Sequence, residues 1–176
     1  MGTEVHLLIS ARAVAPALNM FDRKADSMSR LKSLLFPLPP SGRLGAGLLL
    51  LRAVAGAAFM FHGWTKIQNP FAWMGDDSSM PSLLQALAAL SEFGGGLAWI
   101  LGLVTPLASA GILCTMSVAV WTHAVVRGDP FVGRGTSFEL GLVYAAIAVT
   151  LMVFGPGSIS LDAMISKQLR RETARE

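Results

Sequence analysis

The chain has 176 residues, of which 53% are hydrophobic without counting its 18 glycines, and only 14% are charged, against roughly 25% in a soluble domain. Its mean hydropathy of +0.56, with most charges confined to residues 1–43 and 167–176, excludes the ordinary soluble classes and reads as one small polytopic membrane domain. A pI of about 9.5 raises nucleic acid as a partner, but the basic residues flank apolar runs, where they act as topology signals, so the expected partner is the lipid bilayer and no nucleic acid.

Residues 1–42 are polar and run into Pro37-Leu38-Pro39-Pro40-Ser41, which reads as a disordered leader with a rigid linker. The apolar stretch 5–9 is shorter than the ~7–15 residues of a signal-peptide core. Met20 and Met28 are alternative starts, and residues 1–27 are expected to be dispensable for insertion. The first span runs from about Leu44 to His62 and contains Arg52. A loop with Lys66, Asn69-Pro70, Gly75 and Pro81 leads to a second span, about Leu83 to Leu103, in which Glu92 is followed by Gly94-Gly95-Gly96. Thr105-Pro106 places a capping residue before a proline and opens a third span to about Val126, so spans two and three form a tight antiparallel hairpin. Thr136 and Glu139 have the spacing of a capping box and open a fourth span that Gly155-Pro156-Gly157 stops after Phe154. Ser160 then caps a short helix with Leu161, Met164, Ile165 and Leu169 on one side and Lys167, Arg170 and Arg171 on the other, the pattern of an interfacial helix on an anionic leaflet.

The expected fold is therefore all-α: a four-transmembrane-helix bundle over 43–165 with a short C-terminal interfacial helix, closed by a basic tail over 166–176. Lys and Arg cluster before the first span (Arg12, Arg23, Lys24, Arg30, Lys32, Arg43) and after the last (Lys167, Arg170, Arg171, Arg175), which puts both termini on the cytoplasmic side. Trp64, Trp73 and Trp121 then fall at the outer interface, where amphipathic rings prefer to sit.

An ionised group at bilayer depth costs ~2.5–3.5 kcal/mol on insertion scales, so each one needs a partner. Arg52 and Glu92 sit about 12 and 16 Å from the inner ends of their spans at ~1.5 Å per residue, and the arginine fork suits a carboxylate. The two are expected to pair inside the bundle, either as a ligand or proton-relay site or as a device that fixes helix register. Gly95 and Gly96 would let a neighbouring helix, or a flat ligand, come close to that pair. A second layer lies about 27 Å up: His62, His123, Lys66 on the same helical side as His62 if the first span continues through Gly63-Trp64-Thr65, and Glu139 in the first turn of span four. These four are expected to line one outer pocket mouth. Each also has a local explanation, since interfacial histidines bond water, lysines snorkel and Glu139 belongs to a capping box. A metal site of two histidines and a glutamate lacks supporting spacing, so no metal is expected. The single Cys114 excludes an intrachain disulfide, and no phosphate-cradling glycine loop occurs.

Leu51-Arg52, Phe61-His62-Gly63, Lys66, Glu92-Phe93-Gly94-Gly95-Gly96, Leu101-Gly102-Leu103-Val104-Thr105-Pro106, His123, Glu139-Leu140 and the closing Gly155-Pro156-Gly157-Ser158-Ile159-Ser160-Leu161-Asp162 together resemble, over about 43–165, the DoxX family of small bacterial membrane proteins. The resemblance implies a four-helix inner-membrane bundle, related to the small subunit of a thiosulfate:quinone oxidoreductase, and a role as a membrane oxidoreductase component. With one buried-run cysteine, redox work would depend on a quinone, a partner protein or both. Two functions are carried forward: a subunit of a quinone-linked membrane redox complex, with quinone carbonyls bonded by Arg52 or a histidine, and a non-enzymatic subunit that recruits or stabilises a redox or stress-response partner. Self-association is left open, and transport ranks below both because no inverted repeat or broken-helix pair is legible. Asp162, third in a helix capped by Ser160, is expected to complement that helix's dipole.

Overall fold

The computed structural model describes residues 42–75 and 78–173; the leader, the linker and the alternative starts lie outside them. Among the described residues every regular element is a helix, in the order α1 (Gly42–Gln68), α2 (Ser82–Leu101), α3 (Thr105–Trp121) continued by a π-helical turn (Thr122–Val126), α4 (Glu139–Phe154) and α5 (Leu161–Thr173). The first three, with the π turn counted into the third, are long and apolar enough to cross a membrane, and α4 is a shorter apolar helix. The molecule is a membrane helical bundle in which lipid meets the broad apolar exteriors of these helices. Each successive helix packs on the one before it, α1 on α2, α2 on α3 and α3 on α4.

The first span is longer than its apolar run suggests, because Gly63-Trp64-Thr65-Lys66 adds another turn beyond His62. That extension is what carries Lys66 onto the helix. The fourth begins at Glu139 with Phe138 at its N-cap and no side-chain cap; the hydroxyl of Thr136 donates instead to Asp129 Oδ1 at 2.7 Å. The capping box is therefore absent.

Close approach of α1 and α2 is set by glycine facing glycine. A methyl on Gly96 would lie 2.7 Å from the Gly56 carbonyl oxygen and 2.9 Å from the Phe59 Cβ, so only hydrogen fits, as at small-residue crossings of membrane helices generally. Behind that crossing Phe59 stands edge-on to Trp99, ring centroids 5.5 Å apart, and to Tyr144 at 4.7 Å. Trp99 is fully buried and its indole N–H donates to Ser109 Oγ at 3.0 Å, joining α2 to α3.

The α2–α3 turn is held from both sides by oppositely charged groups. Gly102, at φ 63°, ends α2, with Leu103 N–H donating to Ala98 O at 2.9 Å and Gly102 N–H to Trp99 O at 3.1 Å, the paired bonds of a Schellman motif. The Arg52 guanidinium reaches the same helix end, donating from Nη1 to Trp99 O at 2.9 Å and to Ile100 O at 3.4 Å, and from Nη2 to Ile159 O at 2.6 Å. On the opposite side Asp162 accepts from the backbone N–H of Val104 at 2.7 Å and of Thr105 at 2.9 Å. A cation thus sits at the C-terminus of α2 and an anion at the N-terminus of α3, each favoured by the helix dipole it meets.

Two expectations are corrected here. Thr105 caps nothing: the N-cap position is Val104, in the left-handed region at φ 42°, and the cap is supplied across the chain by Asp162. Asp162 accordingly caps α3 while standing in the first turn of its own helix, whose N-terminus takes the Ser160 hydroxyl as acceptor from Ala163 N–H at 3.1 Å. α5 turns Asp162 and Ser166 into the protein and leaves Met164 67% exposed, so its apolar side is available to a bilayer interface.

Candidate functional site

Arg52 and Glu92 do not pair. The helical phase of α1 aims the Arg52 stem towards the α2–α3 turn, where backbone carbonyls take two of its nitrogens, while its Nε is buried with no hydrogen-bond partner. Glu92 lies well above that level and is 3% exposed. Its partner is Lys66, whose ammonium meets Oε1 at 2.5 Å and Oε2 at 2.6 Å. This bidentate contact depends on the crossing below it: Gly63 lies so close to α2 that a methyl there would be 2.5 Å from the Phe93 backbone nitrogen. Lys66, one turn above His62, is thereby brought over Glu92. Its ammonium also lies 4.5 Å from the centroid of the Trp73 ring, a cation–π distance.

Gly95 and Gly96 are not open to a ligand. Gly96 is filled by α1, and a methyl on Gly95 would be 3.0 Å from the Ile112 Cδ1 of α3. These glycines serve helix packing, and the packing places the ion pair.

Two cavities flank that pair. One, of about 250 Å³, is lined by Phe59, His62, Lys66, Glu92, His123 and Tyr144 among others. The second, of about 510 Å³, lies between the loop after α1, α2 and α3, with Trp73, Met80, Leu84, Leu87, Cys114 and Val118 on its walls. Lys66, Glu92 and His123 border both. The ionised pair and one imidazole therefore form the polar partition between two largely apolar spaces.

The roof of the larger cavity is tied down by Gln85, a buried residue of α2. Its side-chain carbonyl accepts from Met74 N–H at 3.1 Å, its amide donates to Met80 O at 2.9 Å, and its backbone carbonyl accepts from the Trp73 indole at 2.9 Å. His123 is on the π-helical turn, where the widened register is marked by Arg127 N–H donating to Thr122 O at 2.9 Å; such turns recur at functional sites. Its Nδ1 lies 2.7 Å from Asp129 Oδ2. Hydrogen bonds from Thr136 and from His123 hold the Asp129 carboxyl below the usual aspartate range.

Of the expected outer layer, His62, Lys66 and His123 do border the smaller cavity, His62 with its ring 6.4 Å from that of Tyr144. Glu139, the first residue of α4, is not among the residues that line that cavity, although its neighbours Phe138 and Leu140 are. Arg52 belongs to the α2–α3 turn. Four contributors were not among the expected site residues: Asp129, Gln85, Tyr144 and Trp73, the last expected only as an interfacial ring. Among the described residues no three His, Cys, Asp or Glu side chains gather to hold a metal ion.

No curated protein and no solved structure matches the chain. The family model described as DoxX matches residues 47–124, the stretch that carries Arg52, His62, Lys66, Glu92 and His123, and that match supports DoxX family membership.

Proposed function

We propose that the chain is a membrane subunit of a quinone-linked redox complex, and that it receives a lipophilic ring ligand of the quinone class in the larger cavity. The observation that carries this reading is an apolar space of about 510 Å³ whose wall holds the Lys66–Glu92 pair and His123, since ligand sites are mostly apolar with a few placed polar groups. Two ammonium hydrogens of Lys66 are committed to Glu92, which leaves a third to donate to an acceptor such as a ring carbonyl. Glu92 holds that donor in place and is itself a proton acceptor within the bundle. Trp73 and the methionines supply flat and adaptable apolar contact. The clustering of Lys and Arg at the two chain ends supports a bacterial inner-membrane setting with cytoplasmic termini, which puts the cavities in the periplasmic half. An electron donor or acceptor protein completes the complex.

The test is extraction of the protein in native lipid followed by identification of bound small molecules. A co-purifying quinone that is lost from a folded Lys66→Met variant supports the reading. A protein that carries no such molecule and rejects added short-tail quinone overturns it, and a stoichiometric protein partner in that sample would favour the non-enzymatic alternative.

A further inference from the structure

The contacts around His123 specify more than its position. Asp129 is bound to it twice, by its backbone N–H donating to His123 O at 2.8 Å and by its carboxylate at Nδ1. The second carboxylate oxygen takes the Thr136 hydroxyl. An ionised carboxylate only accepts, and the hydrogen bonds from Thr136 and His123, which hold the Asp129 pKa below the usual carboxylate range, favour that form. The hydrogen shared between them therefore belongs to Nδ1. In a neutral imidazole with hydrogen on Nδ1, Nε2 is a lone-pair acceptor. No hydrogen bond to Nε2 is made by the described residues, and the ring borders both cavities.

We propose that Asp129 is a positioning residue that locks His123 as an Nδ1–H imidazole, so that Nε2 acts as a hydrogen-bond acceptor which selects the hydroxyl-bearing, hydroquinone form of a ring ligand over the quinone form. The choice of ligand rests on the proposed function, whereas the tautomer does not. Lys66 donates and His123 accepts, so the wall offers complementary groups to the two redox forms: of these two side chains a quinone carbonyl can meet only the lysine, whereas a hydroquinone hydroxyl can also meet the histidine. Asp129→Asn is an informative change, because Thr136 already donates to one of the two side-chain oxygens. The asparagine carbonyl keeps that bond, its amide turns to Nδ1 as a donor, and the imidazole is driven to carry its hydrogen on Nε2. The acceptor becomes a donor without any change of shape.

The experiment uses the full chain in lipid nanodiscs with 15N-labelled histidine at about pH 8, above the ordinary histidine range, the His123 signals being assigned by comparison with His123→Gln. Wild type is expected to show the Nδ1–H form and Asp129→Asn the Nε2–H form. In parallel, a short-tail hydroquinone and its quinone are titrated as probes. Asp129→Asn is expected to weaken the hydroquinone on the order of tenfold, the value of one hydrogen bond, while the quinone binds as well or better. An Nε2–H imidazole in wild type overturns the inference, and this spectrum needs no variant to fold. Equal losses of both probes in Asp129→Asn also overturn it. Wild type that binds neither probe, yet shows the locked tautomer, overturns the quinone reading and the selection built on it, while the positioning by Asp129 stands.

Discussion

Lys66 and Glu92 illustrate how a buried ion pair is worth less than the cost of breaking it. Each partner removed alone leaves the other charge without compensation, which costs about 3–5 kcal/mol, whereas replacing both by neutral groups of similar volume is often nearly neutral. With Glu92 3% exposed, Lys66→Met is expected to destabilise by about 3 kcal/mol. Glu92→Gln placed on top of it should restore most of that loss. Thermal unfolding of the two single variants and the double variant in detergent checks the cycle, and equal losses that simply add would contradict the pairing. Asp129 gives a pH dependence with a definite sign. Its folded carboxyl is held below the ordinary value, so its contribution is fully present above the unfolded value of ~3.9 and is lost as pH falls through the lower folded one. The difference in unfolding temperature between wild type and Asp129→Ala should shrink in acid solution below about pH 4, where the carboxylate takes up its proton.

At the scale of elements, the hairpin of α2 and α3 is closed by a charge at each helix end. Arg52→Ala would remove the charged donor from Ile159 O and one of the two donors from Trp99 O, which keeps the Gly102 N–H, a loss of about 3 kcal/mol for bonds to a charged group. Arg52→Lys should recover little, because a point charge cannot fork between α2 and the Ile159 segment as a planar guanidinium does. Unfolding of the two variants against wild type measures this. The helices themselves were legible in the sequence, since runs of about twenty apolar residues broken by proline and glycine have few other readings. Arg52 and Glu92 were legible as anomalies, but their partners were not. Depth along a helix follows from counting residues, while the direction in which a side chain leaves the helix depends on how neighbouring helices rotate. Two charges at similar depth thus pointed to different partners: Arg52 down to backbone carbonyls, Glu92 up to Lys66. Asp129 and Asp162 were hidden for a related reason, as their partners are backbone amides and a histidine that no spacing rule joins to them.

For the whole molecule, the helices differ in length by more than a bilayer easily absorbs. α1 has 27 residues and α4 has 16, or about 40 Å and 24 Å at 1.5 Å per residue, against a hydrocarbon core of ~30 Å. α1 must tilt or protrude, and lipid beside α4 must thin, each at fractions of a kcal/mol per Å. The unfolding temperature should therefore be higher in dimyristoyl than in longer dioleoyl nanodiscs, where α4 is mismatched further; the reverse order would place α4 outside the lipid boundary.

The bond from Arg52 to Ile159 spans 107 positions of the chain, and this has a consequence for synthesis. The first helix is made, and enters the bilayer, long before the acceptor for Nη2 of its guanidinium exists, a delay of about 5–20 s at ordinary elongation rates. During that interval the nascent bundle carries a charge in lipid that nothing it has yet built can fully satisfy. Arrival of the Gly155–Asp162 segment ends that state and, in the same contact, delivers the carboxylate that caps α3. A chain that stops early keeps the exposed charge, so the molecule bears a built-in mark of whether it has been finished, which a membrane protease could read.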